Sequence, residues 1–199
     1  MGCERMITQD WSECFEFSSN ANGEAARLEA LRACLPGVVD IRRASLEMDK
    51  SGIDYIVKLR RGAEVYVDVK ERVAGCSKYW TRGPEIALEE WSVYPDETNK
   101  GRAGWTLDES KKTHYILYSF DRRDTDKIYI IPFQLLRAAF IENLREWKME
   151  YWKRRGSKLQ RSHNDRGFWC SLGMFIPASV VLDAIKSRSV FELSARRAV

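Results

Sequence analysis

The chain has 199 residues, of which 44% are hydrophobic, 31% charged and 12% aromatic. That is a globular composition at a length that suits one domain spanning residues 1–199. No apolar run approaches the ~20 residues needed to cross a bilayer, and MGCERMITQDW lacks the apolar centre of a secretory signal, so no membrane role and a cytoplasmic location are expected.

The net charge of +4 is unevenly spread. Residues 1–136 carry 20 Lys and Arg against 23 Asp and Glu, whereas residues 137–199 carry 13 against 6. An acidic-leaning body joined to a basic region, about 133–199, suits a polyanionic partner beside a carboxylate site. The five cysteines and two histidines lack the spacing of a zinc site.

In chain order, EAARLEALRACL predicts a helix from the spacing of Leu28, Leu31 and Leu35, with Asn22 as N-cap and Pro36-Gly37 as the stop. VVDIRRA, IDYIVKL and AEVYVDVKE follow as three β-rich stretches, and EIALEEWSV as a fourth. Residues 94–112 are polar, carry Pro95, Gly101 and Gly104, and predict a long loop of the kind that is often functional. THYILYSF and KIYIIPF predict a hairpin around DRRDTD. The apolar stripe Leu135, Leu136, Ala139, Phe140, Leu144 and Trp147 predicts a helix from Phe133 to about Trp152. A basic loop, KRRGSKLQRSHNDRG, then a strand, FWCSLGMFI, and a helix with Pro177 in its first turn complete the chain. The fold class is α/β, a central mixed sheet flanked by helices.

The chemistry concentrates in IDYIVKLRRGAEVYVDVK. A three-residue hairpin loop, Arg60-Arg61-Gly62, places glycine in the left-handed position. Leu59 then pairs with Ala63, Lys58 with Glu64, Ile56 with Tyr66, and Asp54 with Asp68. Two carboxylates directly opposite each other repel unless neutralised. Lys70, two residues beyond Asp68 on the same face, meets part of that need. A Mg²⁺ or Mn²⁺ ion meets it better, held by Asp54, Asp68 and the carbonyl of Val69. Tyr55, Val57, Leu59, Val65, Val67 and Val69 form the opposite, core-facing side.

Gly52-Ile53-Asp54-Tyr55 followed by Val67-Asp68-Val69-Lys70 resembles the core of the PD-(D/E)XK nuclease superfamily, which includes restriction enzymes, Holliday-junction resolvases and phage exonucleases. The proline before the first Asp is replaced by Ile53, and Asp68 stands where Glu is commoner. The resemblance implies a restriction-endonuclease-like αβββαβ core and a divalent-metal-dependent hydrolysis of phosphodiester bonds, in DNA or in RNA. It further implies an acidic residue on the first helix, Glu24 or Glu29, and another on the next strand, Glu89 or Glu90, with Glu24 and Glu89 preferred. A homodimer is common in that superfamily.

Lys153, Arg154, Arg155, Lys158 and Arg161 form the densest basic run and suit phosphate contacts, with Arg102 in the long loop closing over substrate. Trp147, Tyr151 and Trp152 are core or stacking residues by their spacing. His114 reads as a strand-edge residue. The alternative function is a non-catalytic nucleic-acid-binding or protein-interaction module on a nuclease-like fold. If the two carboxylates only repel, Asp68→Ala removes activity and leaves folding intact.

Overall fold

The structure, a computed structural model, describes residues 7–10, 21–72, 74–80, 82–97, 99–152, 160–164, 167–185 and 191–194. Among these are the strands β1 (Ile7–Asp10), β2 (Val38–Arg43), β3 (Tyr55–Leu59), β4 (Glu64–Arg72), β5 (Glu85–Val93) and β6 (Arg102–Ala103). The later strands are β7 (Tyr115–Phe120), β8 (Lys127–Pro132), β9 (Gln160–Asn164), β10 (Gly167–Pro177) and β11 (Phe191–Ser194). The helices are α1 (Ala21–Cys34), α2 (Leu46–Asp49), α3 (Phe133–Trp147) and α4 (Ala178–Ile185).

A six-stranded mixed sheet in the order β11-β8-β7-β4-β3-β2 is the centre of the molecule, and only β4 and β7 run parallel within it. The β3–β4 register is the one the turn dictates. Lys58 pairs with Glu64, Ile56 with Tyr66 and Tyr55 with Val67, and Gly62 takes φ +81° in the loop.

One face of this sheet is covered by α1. Ala30, Leu31 and Cys34 bury against Tyr55, Val57, Val67, Leu117 and Ile130. Leu31 is fully buried, so Leu31→Ala would cost about 2–5 kcal/mol. The opposite face carries Ile116, Tyr118, Tyr129 and Ile131, and packs on Ile86 and Leu88 of β5, Met174 and Ile176 of β10, and the apolar sides of α3 and α4. Residues paired in parallel strands share a face, so Asp68 beside Ile116 and Lys70 beside Tyr118 point toward β5 rather than α1. That places polar chemistry at the margin of the larger core.

The second sheet, β1-β9-β10-β5-β6, was only partly expected. The basic stretch read as a loop contains β9, which pairs antiparallel with β10 and parallel with β1. Its mixed QRSHN sequence lacks β-branched residues, and pairing on both sides supplies what local propensity does not. β1 and β11 likewise arise from pairing. Pro177 closes β10 instead of opening the helix, and the amide of Ala178 donates to Pro84 O at 2.7 Å. α1 begins at Ala21, so Asn22 lies inside its first turn and is not the cap. α3 runs into a π-helical turn at Lys148–Trp152. Trp147 and Tyr151 are buried in the core, which removes them as stacking platforms.

The connection from β4 to its parallel neighbour β7 is long. It passes through a 3₁₀ turn (Cys76–Tyr79), β5 and β6, and its described residues contain no α-helix. An αβββαβ order puts a helix in that crossover, so the chain departs from the expected pattern there. No described helix is long and apolar enough to cross a membrane.

Candidate functional site

The β3–β4 ladder ends one pair earlier than the register alone predicts. Tyr55–Val67 is its last pair, and the expected backbone pairing of Asp54 with Asp68 does not form. Asp54 instead donates its amide to Val67 O at 2.8 Å, and its Oδ2 accepts the amide of Val69 at 2.5 Å. The carboxylate thus takes the place of a strand at the open edge of β4. Because N–H and C=O of one strand residue point to the same side, the carbonyl of Val69 faces the same space.

The two carboxylates still meet. Burial is the main cause that raises the Asp54 carboxyl to about 6, against 3.8 in water. The Val69 amide opposes the shift, while the adjacent Asp68 adds to it by its charge and by accepting a hydrogen bond from the protonated form.

Asp68 is 2% exposed and holds an ammonium on each oxygen: Lys70 Nζ lies 2.6 Å from Oδ1 and Lys111 Nζ 3.1 Å from Oδ2. Burial works against the charge on Lys70, but Asp68, then Asp54 and Glu89, outweigh it and raise its pKa above the usual lysine range. Lys70 is therefore held as an ammonium, a hydrogen-bond donor and not a base.

Glu89 joins from β5. Its Oε2 accepts the amide of Trp105 at 3.1 Å, and burial raises its carboxyl, opposed by that amide and by the charges of Lys70, Arg102 and Lys111. Glu90 points away and pairs with Lys148 at 2.5 Å, so of the two candidates on this strand Glu89 is the one in the cluster. Trp105 presents its ring to Lys70 Nζ at 5.6 Å and stacks on Phe133. Gly104 lets this loop approach; a Cβ there would strike the backbone of Glu89.

Glu24 does not join. Its Oε1 accepts from Arg43 Nε at 2.9 Å and from the Tyr55 hydroxyl at 3.1 Å, on the α1 side of the sheet. These two bonds, Arg43 foremost, lower its pKa. Glu29, the other helix candidate, is exposed. Arg102 is exposed, donates to Ser92 Oγ at 2.9 Å, and lies near enough to Glu89 for its charge to be felt. Lys153, Arg154, Arg155 and Lys158 lie outside the described residues, and Arg161 is described only as a position on β9.

Lys111 was missed, and its position is built by three elements. Arg137 of α3 donates to the carbonyls of Thr106 and Asp108, fixing the loop. Thr113 Oγ1 donates to Gly52 O. Gly52 itself, at φ +76°, leaves room for the Lys111 ammonium, which an added Cβ would displace. No local sequence signal marks a lysine that reaches its partner across 43 positions.

The presence of Asp68 between two lysines also corrects the expected effect of Asp68→Ala. Its removal strands two half-buried ammonium groups, so the fold loses stability instead of gaining relief. Among the described residues no group of three or more His, Cys, Asp or Glu side chains gathers as a metal cage. The donor set at this site is two carboxylates and a carbonyl. No protein-family model, curated protein or solved structure matches the chain.

Proposed function

We propose that the chain is a divalent-metal-dependent nuclease that hydrolyses phosphodiester bonds in DNA, with a PD-(D/E)XK-like centre at Asp54, Asp68, Lys70 and Glu89. One observation carries the reading: half-buried Asp54 is held beside buried Asp68, where ionised Asp54 is costly, its carboxyl raised to about 6. A hard divalent cation relieves that cost, and Mg²⁺ typically takes one or two carboxylates with the rest of its shell from water and phosphate. Asp54 Oδ1, Asp68 and the Val69 carbonyl suit Mg²⁺ or Mn²⁺. Its contribution when bound is charge neutralisation at the phosphate and a lowered water pKa.

The chain's own groups do the rest. Lys70, fixed as an ammonium, donates to a phosphate oxygen as negative charge develops there. Glu89, whose raised carboxyl suits proton uptake nearer neutral pH, takes the proton of the attacking water. Trp105 shields the Lys70 ammonium from solvent on one side. Support for a restriction-endonuclease-like core comes from the antiparallel β2–β3–β4 meander, the parallel β7 and the α1 layer; the crossover through β5 departs from it.

A second reading, a non-catalytic nucleic-acid-binding or protein-interaction module, draws on a different observation: both oxygens of Asp68 already carry lysines. Cleavage of labelled single- and double-stranded DNA and of RNA in Mg²⁺, Mn²⁺ or EDTA separates the two. Metal-dependent cutting by the wild type, lost in Asp68→Asn and Lys70→Ala, is the expected result. Nucleic acid bound but uncut under every condition would favour the module.

A further inference from the structure

Beside the carboxylate cluster lies an open depression of about 340 Å³, near the lower end of the size of small-ligand sites. Its wall includes Lys111, Lys112, His114, Pro132 and Gln134, with no acidic residue. The tautomer of His114 is fixed by the sheet. The amide of Tyr66 donates to His114 Nδ1 at 2.9 Å, so Nδ1 is unprotonated and the ring hydrogen sits on Nε2. An exposed imidazole held this way offers a donor outward. Lys112 and Gln134 are exposed and supply further donors. Pro132 has no amide hydrogen, and its ring lines the wall with apolar surface.

A wall of donors without a carboxylate is complementary to an anion. Its link to the site is Lys111, which lines the depression and also binds Asp68 Oδ2. An anion lodged there lies one side chain away from the carboxylate pair, as does the phosphate next to a scissile bond. We propose that this depression is a phosphate subsite for the nucleic-acid strand, in which Lys112, His114 and Gln134 hold the phosphodiester flanking the one bound at Asp54 and Asp68. Lys111 is the wall shared by the two positions. This rests on the nuclease reading for its substrate.

The test is fluorescence anisotropy with a labelled single-stranded DNA 12-mer in Ca²⁺, titrated over a range of salt. The variants are Lys112→Gln, Gln134→Glu and the two combined, with Arg122→Glu, which changes the charge by as much as the combined variant, as the control at the far end of β7. The combined variant is expected to bind about tenfold more weakly, with the salt slope reduced by about one phosphate contact. Arg122→Glu should match the wild type. Replacing one internal phosphate at a time by methylphosphonate should abolish the mutant effect at a single linkage. An affinity and salt slope for the combined variant equal to those of Arg122→Glu would overturn the subsite. Failure of the nuclease reading looks different: the wild type binds DNA, the subsite variants bind it more weakly, and nothing is cut with Mg²⁺ or Mn²⁺.

Discussion

Two carboxylate clusters sit at the same end of the central sheet, one on each face. On the α1 face, Glu24 is partly exposed, bonded by Arg43 and Tyr55, and its pKa is lowered. On the β5 face, Asp54 is half-buried beside the buried Asp68 and its pKa is raised. Both contain acids and bases in close contact. The first carboxylate is already stabilised as an anion by its neighbours; the second is held where ionisation is costly. Proximity of charges therefore says little about chemistry until the sign of the shift is known.

The contrast can be broken most severely at Asp68. Asp68→Asn should lower cleavage by about a thousandfold or more, an effect of about 4 kcal/mol on the barrier. Asp68→Ala should in addition cost about 3–5 kcal/mol of folding stability in urea denaturation, because Lys70 and Lys111 lose their shared partner.

Asp54 gives the sharper test, since its effect has the opposite sign. The unfolded carboxyl titrates near 3.8 and the folded one at about 6, so the folded state holds the proton more tightly. The cost of ionisation is absent below the lower value, grows as pH rises between the two, and is complete above the higher. Metal-free Asp54→Asn should thus be more stable than wild type at pH 7, by up to about 3 kcal/mol, and equal to it at pH 3. Mg²⁺ should raise the melting temperature of the wild type and leave that of Asp54→Asn unchanged. A wild type equally stable at pH 4 and pH 7 without metal would remove the contrast.

A smaller effect is expected at Gly104. Gly104→Ala forces the loop away from Glu89, at about 1–3 kcal/mol, and should shift Trp105 fluorescence as its ring leaves Lys70. The smallest is on the other face. Glu24→Gln breaks a partly exposed ion pair, should cost less than about 1 kcal/mol, and should leave cleavage at the wild-type rate.

What the sequence disclosed follows the range of the interactions involved. The register of β3 against β4 was legible from Arg60-Arg61-Gly62, because a turn of that length fixes the pairs nearest to it. Its reach ended at Tyr55, where tertiary contacts from Met48 and Val67 redirect Ile53 and Asp54. Glu89 was legible as one of two alternating residues on a strand, and only packing decided between it and Glu90. Glu24 satisfied the helix position that the resemblance requires, yet Arg43, brought in by β2, captures it. Lys111 had no local mark at all, and neither did β9, whose partners lie on two other strands.

The connection between β4 and β7 has a kinetic consequence. Asp54, Asp68 and Lys70 belong to one hairpin, which can close on the microsecond scale. Glu89, Trp105 and Lys111 all come from the crossover, which is ordered only when the parallel pairing of β4 with β7 and the docking of the second sheet are both complete. Contacts that close such long loops are slow to form. A nascent or half-refolded chain thus carries the three core residues without their surroundings. In a stopped-flow refolding experiment, quenching of Trp105 beside Lys70 should coincide with the slowest phase, and that phase should mark the moment the protein becomes competent.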